Sequence, residues 1–240
     1  MDYRLALMTG VDIPIPELKA ILHQPSIKEI SMIGEKVFFS GAQYLCINKY
    51  AIKQGENDLS ETSNFQLFMM VMGETEQADK KANVSQVLSL LFPGYSLMFS
   101  PRSIVLKNGG ENVIIDEDNF DVLQTIVKMI FCLQQQQGED FNPANEAAKK
   151  IAEKIMRGRQ IVAEQKAKEN GDGSVFSQYL SILCVGLHIP LSELVNWTVF
   201  QLYDVVERNM LFINYDLDIR QRLAGGKPES SPDNWMKNIH

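Results

Sequence analysis

The sequence predicts an α+β protein, predominantly α-helical, in which helices pack with a small β-hairpin or antiparallel sheet and the C-terminal half is helical. Three observations carry this expectation. Capping boxes open two amphipathic runs, Ser26 with Glu29 and Thr198 with Gln201. Two short apolar runs, SIVLK and NVIID, flank Asn108, Gly109 and Gly110, which supply the positive φ angles of a tight hairpin. Apolar residues make up 45% of the 240, and charged residues 22%, enough to bury a core without disulfide or metal staples.

The elements follow in order. LALM fits a short helix or a strand. Pro14, Pro16 and Pro25 interrupt any long early helix, so VDIPIPELKAIL is expected to be extended and to lead into one helical turn. From Ser26 a capped helix places Ile30, Ile33 and Val37 on one face, and Gly34 marks close packing or a break. The run FQLFMMVM fits a helix or a buried strand, and NVSQVLSLLF a helix capped by Asn83 after the charged linker TEQADKKA. A hairpin near 102–116 needs helices under its apolar face, because two strands alone are marginal in water. A further helix should begin at Asp116 or Asp118 and fade into the glutamines near Gly138.

QGEDFNPAN is the best boundary, dividing an N-terminal α+β body, 1–138, from a helical region, 139–240. That second part opens with a long charged helix, 144–169, whose Glu146/Lys150, Glu153/Arg157 and Glu164/Lys168 pairs are spaced i, i+4. SVFSQYLSILCVGL then predicts a buried helix stopped by HIP. The last helix, from Thr198, carries an apolar stripe of Leu202, Val205, Val206, Met210, Ile213 and Leu217, and Gly225 and Gly226 end it.

Several function classes find no footing. A formal charge of −7 disfavours binding of nucleic acid or anionic membrane over the whole surface. Cys46, Cys132 and Cys184 sit singly in apolar runs and the three histidines are scattered, so free buried thiols in a reducing compartment are expected and a metal site is not. No basic leader or membrane-length apolar run is present, which predicts a cytosolic protein. GxSxG, GxxxxGK[ST] and GxGxxG are absent, so neither a catalytic residue nor a cofactor is assigned. The acidic groups Asp116, Glu117, Asp118 and Asp216, Asp218 are better explained as a helix start and a solvated face than as metal ligands.

Residues 149–168 hold seven Lys/Arg against two Glu, making Lys149, Lys150, Arg157 and Arg159 a possible basic contact for an acidic protein or for phosphates. The segment lacks aromatics for stacking on bases. Ile30, Ile33, Phe38 and Phe39 are candidates for an apolar partner surface if exposed, with core as the alternative. Trp235 and Met236, in an otherwise polar tail, are a second candidate contact. A homo-oligomer is compatible with the sequence.

The stretch SIKEISMIGEKVFF, with Ser26, Ile27, Lys28, Glu29, Ile30, Ile33, Gly34, Phe38 and Phe39, resembles the opening of tail assembly chaperones of tailed bacteriophages of Gram-positive bacteria. LSELVNWTVFQLYDVVERNMLFINYDLDIRQRLAGGK is similar to the helix that ends many such proteins. The resemblance covers about a quarter of the chain; the hairpin and the long basic helix have no counterpart in it. It implies non-enzymatic work in the host cytoplasm, holding tape measure or tail subunits until the tube polymerises, without cofactor or catalytic residue. A baseplate or neck component of the virion, and a nucleic-acid-associated regulator using 149–168, are the alternatives.

Overall fold

The computed structural model describes residues 3–48, 62–73, 78–133, 173–225 and 235–236. LALM lies in a helix, α1 (Tyr3–Thr9). The proline-rich stretch after it does more than extend. Strand β1 (Ile13–Ile15) turns through a 3₁₀ segment, Pro16–Leu18, and returns as β2 (Ala20–Leu22), with Ile13 opposite Leu22 and Ile15 opposite Ala20. Pro16 occupies the first position of the turn, where a missing N–H costs nothing. Alternation does the rest, since Ile13, Ile15, Ala20 and Leu22 face the core while Pro14 and Ile21 face out.

Helix α2 (Ile27–Ile33) starts on the expected capping box. Gly34 then breaks the run at φ 91°, and the chain restarts as α3 (Glu35–Leu45). A side chain at Gly34 would meet no atom within 4 Å, so the glycine serves the turn and not close packing. The opposite holds at Gly41, where a Cβ would lie 2.5 Å from the Asn83 carbonyl oxygen and 2.7 Å from Val87 Cγ2. Gly41 thus lets α3 cross directly onto α5 (Ala78–Leu91).

FQLFMMVM is helical, within α4 (Asn64–Gly73). Helix α5 begins at Ala78, not Asn83, because part of the charged stretch before Asn83 is itself helix. Asn83 instead donates from Nδ2 to Ser40 Oγ at 3.1 Å across the α3 crossing. The hairpin forms from β4 (Ser103–Asn108) and β5 (Glu111–Ile115), and β3 (Ser96–Ser100) adds a third antiparallel strand in the order β3-β4-β5. Of the turn residues only Gly109 has positive φ. Ile104, Leu106, Val113 and Ile115 turn one face of this sheet into the core.

Helix α6 spans Phe120–Ile130 and starts later than Asp116 or Asp118. Those residues form the turn before it: Asn119 Oδ1 accepts from the Asp116 N–H, and the Asp116 carbonyl accepts from the Phe120 N–H. The buried Gln124 amide donates to the Leu45 and Ile47 carbonyls, both at 2.9 Å, tying off the end of α3. After Gly173 come α7 (Val175–Leu187), a short α8 (Leu191–Leu194) and α9 (Val199–Leu223), with Gly225 at φ 87° after it. Elements from both sides of the expected boundary share one hydrophobic cluster, which includes Ile27, Phe38, Leu88, Ile126, Phe176 and Val199. The boundary segment itself and the charged helix expected at 144–169 lie outside the described residues.

Candidate interaction surface

Two helix starts far apart in sequence meet at one junction. Ser26 Oγ accepts the Glu29 N–H, and Glu29 Oε2 accepts the Ser26 N–H at 2.8 Å. Thr198 and Gln201 repeat the arrangement. Ser26 and Thr198 form an antiparallel bridge, and the Ile27 and Lys28 N–H groups donate to the Trp197 and Val195 carbonyls at 2.9 and 2.8 Å. Gln201 also donates to the Met8 carbonyl, fixing the end of α1. His23 sits between Asp12 and Glu29, with Nδ1 2.9 Å from Asp12 Oδ1 and Nε2 3.2 Å from Glu29 Oε1. Burial works to raise the Glu29 carboxyl, but the Ser26 N–H and hydroxyl and the His23 ring outweigh it and hold the group below its ordinary 4.5.

Beside this junction runs an open groove of about 540 Å³ between α2, α7 and α8. Ile27, Phe176 and Leu180 make its apolar floor, and Lys28, Ser31 and Asn196 are on its rim. The first turn of α7 is already satisfied from α3, because the Glu35 carboxylate accepts from the Ser174 hydroxyl and from the Val175 N–H, the latter at 2.7 Å. The groove is therefore an apolar trough with a polar edge, without an open anion site at that helix start.

The four apolar candidates from α2 and α3 do not make an exposed patch. Ile30 and Phe38 are 0% exposed. Phe38 lies 4.7 Å from Phe131, and Phe39, half-buried, stacks on Phe176 at 5.3 Å. Ile33 is likewise half-buried against the core. These residues join α3 to the end of α6 and to α7, which is the core alternative; apolar character in the sequence did not tell which way they point. Trp235 packs edge-on to Phe212 at 5.3 Å, and its carbonyl accepts from Arg208 Nη1. Met236 beside it is exposed. Lys149, Lys150, Arg157 and Arg159 lie outside the described residues.

The acidic groups have local explanations. Glu117 accepts from Gln66 Nε2 at 3.1 Å, while Asp216 and Asp218 pair with Arg220 and Arg222 four residues on. Among the described residues no group of three or more His, Cys, Asp or Glu is placed to hold a metal, and no helix is long and apolar enough to cross a membrane. Burial pushes the Cys46 and Cys132 thiols up to about 12.

The sequence did mislead on α7, expected to be buried. Only Phe176 and Leu183 of that helix are buried, while Ile182 is 52% and Val185 72% exposed. Leu187, and Leu191 on α8, are exposed as well. The stripe on α9 behaves in the same way past its midpoint: Leu202 and Val206 are buried, but Met210, Ile213 and Leu217 are 53%, 47% and 58% exposed. The signal for these surfaces was present as apolar periodicity, which marks residues that want cover without saying what supplies it.

Residues 166–240 match the model of the family described as YomV second domain. The match spans just under a third of the chain and takes in α7, α8, α9 and Trp235, including the exposed Ile182, Val185, Leu187 and Leu191. That family is phage-derived, so the match supports a phage protein. No curated protein and no solved structure matches the chain.

Proposed function

We propose that the chain is a non-enzymatic phage tail morphogenesis protein, a tail assembly chaperone that covers an apolar segment of the tape measure protein or of a tail subunit in the host cytoplasm until the tube polymerises. The observation that carries this is the apolar surface left uncovered on α7, where Ile182 and Val185 are exposed on one face, with Leu187 at the end of the helix and Leu191 of α8 exposed as well. Monomeric proteins rarely leave contiguous apolar patches beyond a few hundred Å² uncovered unless something binds there. On the other side of α7 the groove between α2, α7 and α8 offers an apolar floor for a client's side chains and a hydroxyl and amide rim for its backbone. The phage-derived match over residues 166–240 and the resemblance at Ser26–Phe39 support the setting.

The test is co-expression with the tape measure and tail proteins of the same genome, followed by affinity capture. A stoichiometric complex is expected with the unaltered chain and loss of it with Ile182→Glu or Val185→Lys, positions whose exposure leaves the fold intact. Capture of no virion protein, or capture indifferent to both substitutions, overturns the proposal.

A further inference from the structure

We propose that the outer edge of β3 docks an extended segment of a partner protein, one with apolar side chains at alternate positions and acidic residues at its ends, which joins the sheet as a fourth strand. β3 and β5 are the two edges of the sheet. The β5 edge lies against the Pro16–Leu18 turn, whereas no backbone group of residues 96–100 bonds outside the sheet among the described residues. Register says which groups are spare. Ser100 stands opposite Ser103 across a two-residue turn, so the close pairs of ladder bonds to β4 fall on Ser100, Met98 and Ser96. The N–H and C=O groups of Leu97 and Phe99 alternate with these and point away from β4, two donors and two acceptors along an open edge.

Packing is unfinished at the same edge. On the inner face of the sheet Ile104, Leu106, Val113 and Ile115 are buried, yet Leu97 and Phe99, on that face of β3, are only half-buried, and no residue of β3 is buried. A strand laid beside β3 covers both with its own alternate side chains while its backbone takes up the spare bonds. SLMFS carries neither a charge nor a proline, the devices that keep an edge strand from pairing.

The charge around the edge decides between partners. Between Asp79 and Glu111 the chain carries Lys80, Lys81, Arg102 and Lys107 and no acid, on a protein of net −7. Lys81 Nζ sits 5.0 Å from the centre of the Phe99 ring, Lys107 stands opposite Ser96, and Arg102 is in the turn that leaves β3. All three are exposed, and none forms an ion pair among the described residues. A second copy laid edge to edge sets these cations against their own kind, whereas a segment with acidic ends neutralises them.

Amide hydrogen exchange of the full chain, followed by NMR, tests this with a synthetic peptide, Glu-Val-Ser-Val-Ser-Val-Glu. At saturation the Leu97 and Phe99 amides are expected to exchange about 10-fold or more slowly as they gain partners, while the Met98 amide, already in the ladder, changes little. The same peptide methylated on every amide nitrogen cannot complete the ladder, and it and a version with Lys in place of Glu should each bind about 10-fold or more weakly. Arg102→Glu with Lys107→Glu should weaken the Glu peptide by about the same factor; the methylated peptide keeps the test decisive if that variant misfolds. Val185→Lys on α7 should change none of this, so failure here and failure of the chaperone proposal are distinguishable. The proposal is overturned by no binding at about 1 mM peptide, by protection of Met98 in place of Leu97 and Phe99, or by indifference to methylation or charge reversal. Leu97 and Phe99 amides already slowed by self-association of the chain alone overturn it too.

Discussion

Replacing Gly41 by alanine sets two opposing effects against each other at the α3–α5 crossing. Alanine in a helix interior is favoured over glycine by about 1 kcal/mol. Against that, the new Cβ would stand 2.5 Å from the Asn83 carbonyl oxygen and 2.8 Å from its carbon, and backbone cannot swing aside as a side-chain end can. Forcing an extra carbon into a close-packed contact costs typically about 1–3 kcal/mol, and an approach this close to backbone takes the upper half of that range, about 2–3 kcal/mol, so the net effect expected is a loss of about 1–2 kcal/mol. For a chain of this size that lowers Tm by roughly 2–8 °C. Gly186 in α7 is the internal control: its Cβ would meet nothing within 4 Å, so Gly186→Ala should raise stability by up to about 1 kcal/mol. Thermal and urea unfolding followed by circular dichroism measure both. A Gly41→Ala protein as stable as the unaltered chain would refute the close crossing.

Other expectations concern the junction, the core and the thiols. The Glu29 carboxyl is held below its ordinary 4.5 in the folded protein, so its contribution is complete above pH about 4.5 and fades as pH falls through the folded value. Glu29→Gln keeps a capping acceptor without the charge, and its stability deficit should close on acidification; a deficit constant from pH 7 to 3 argues against the ionised cap. Phe38→Ala should cost about 3–5 kcal/mol in unfolding experiments, because the ring is wholly enclosed; a shift below about 1 kcal/mol would return Phe38 to the surface. Cys46, half-buried and raised to about 12, should react with a thiol reagent at neutral pH more slowly than a free thiol and faster once denaturant is added; native labelling at the free-thiol rate would contradict the raised value.

Local chemistry made much of this fold legible. Ser26 with Glu29 and Thr198 with Gln201 need only four consecutive residues to specify a helix start, and both form as expected. The Gly109 turn is equally local. The early hairpin was half legible, because Pro14 and Pro16 argue against helix but cannot reveal that Ala20–Leu22 returns to pair. The start of α5 was missed because ADKKA is charged and helix-competent, so it lacks the apolar rhythm that marks a boundary. Gly41 was silent, since close approach of another helix leaves no trace in one sequence. Of the two readings of Ile30, Ile33, Phe38 and Phe39, partner surface or core, the residues alone could not choose, and the structure fits core. Ile30 and Phe38 on one side, and Val185 and Leu217 on the other, have the same apolar character, and only the arrangement of neighbours decides which pair is enclosed.

The bridge between Ser26 and Thr198 bears on how the chain matures during synthesis. The partners are about 170 residues apart, and at 5–20 residues per second roughly 9–34 s pass between them on the ribosome. Through that interval the Ile27 and Lys28 N–H groups lack the Trp197 and Val195 carbonyls that later receive them, and α1 lacks the Gln201 clamp. The first part of the protein must therefore wait for the last before it locks, as contacts of such long range imply slow closure. Pulse proteolysis of stalled nascent chains follows this directly; protection of α2 before residue 198 has emerged would contradict it.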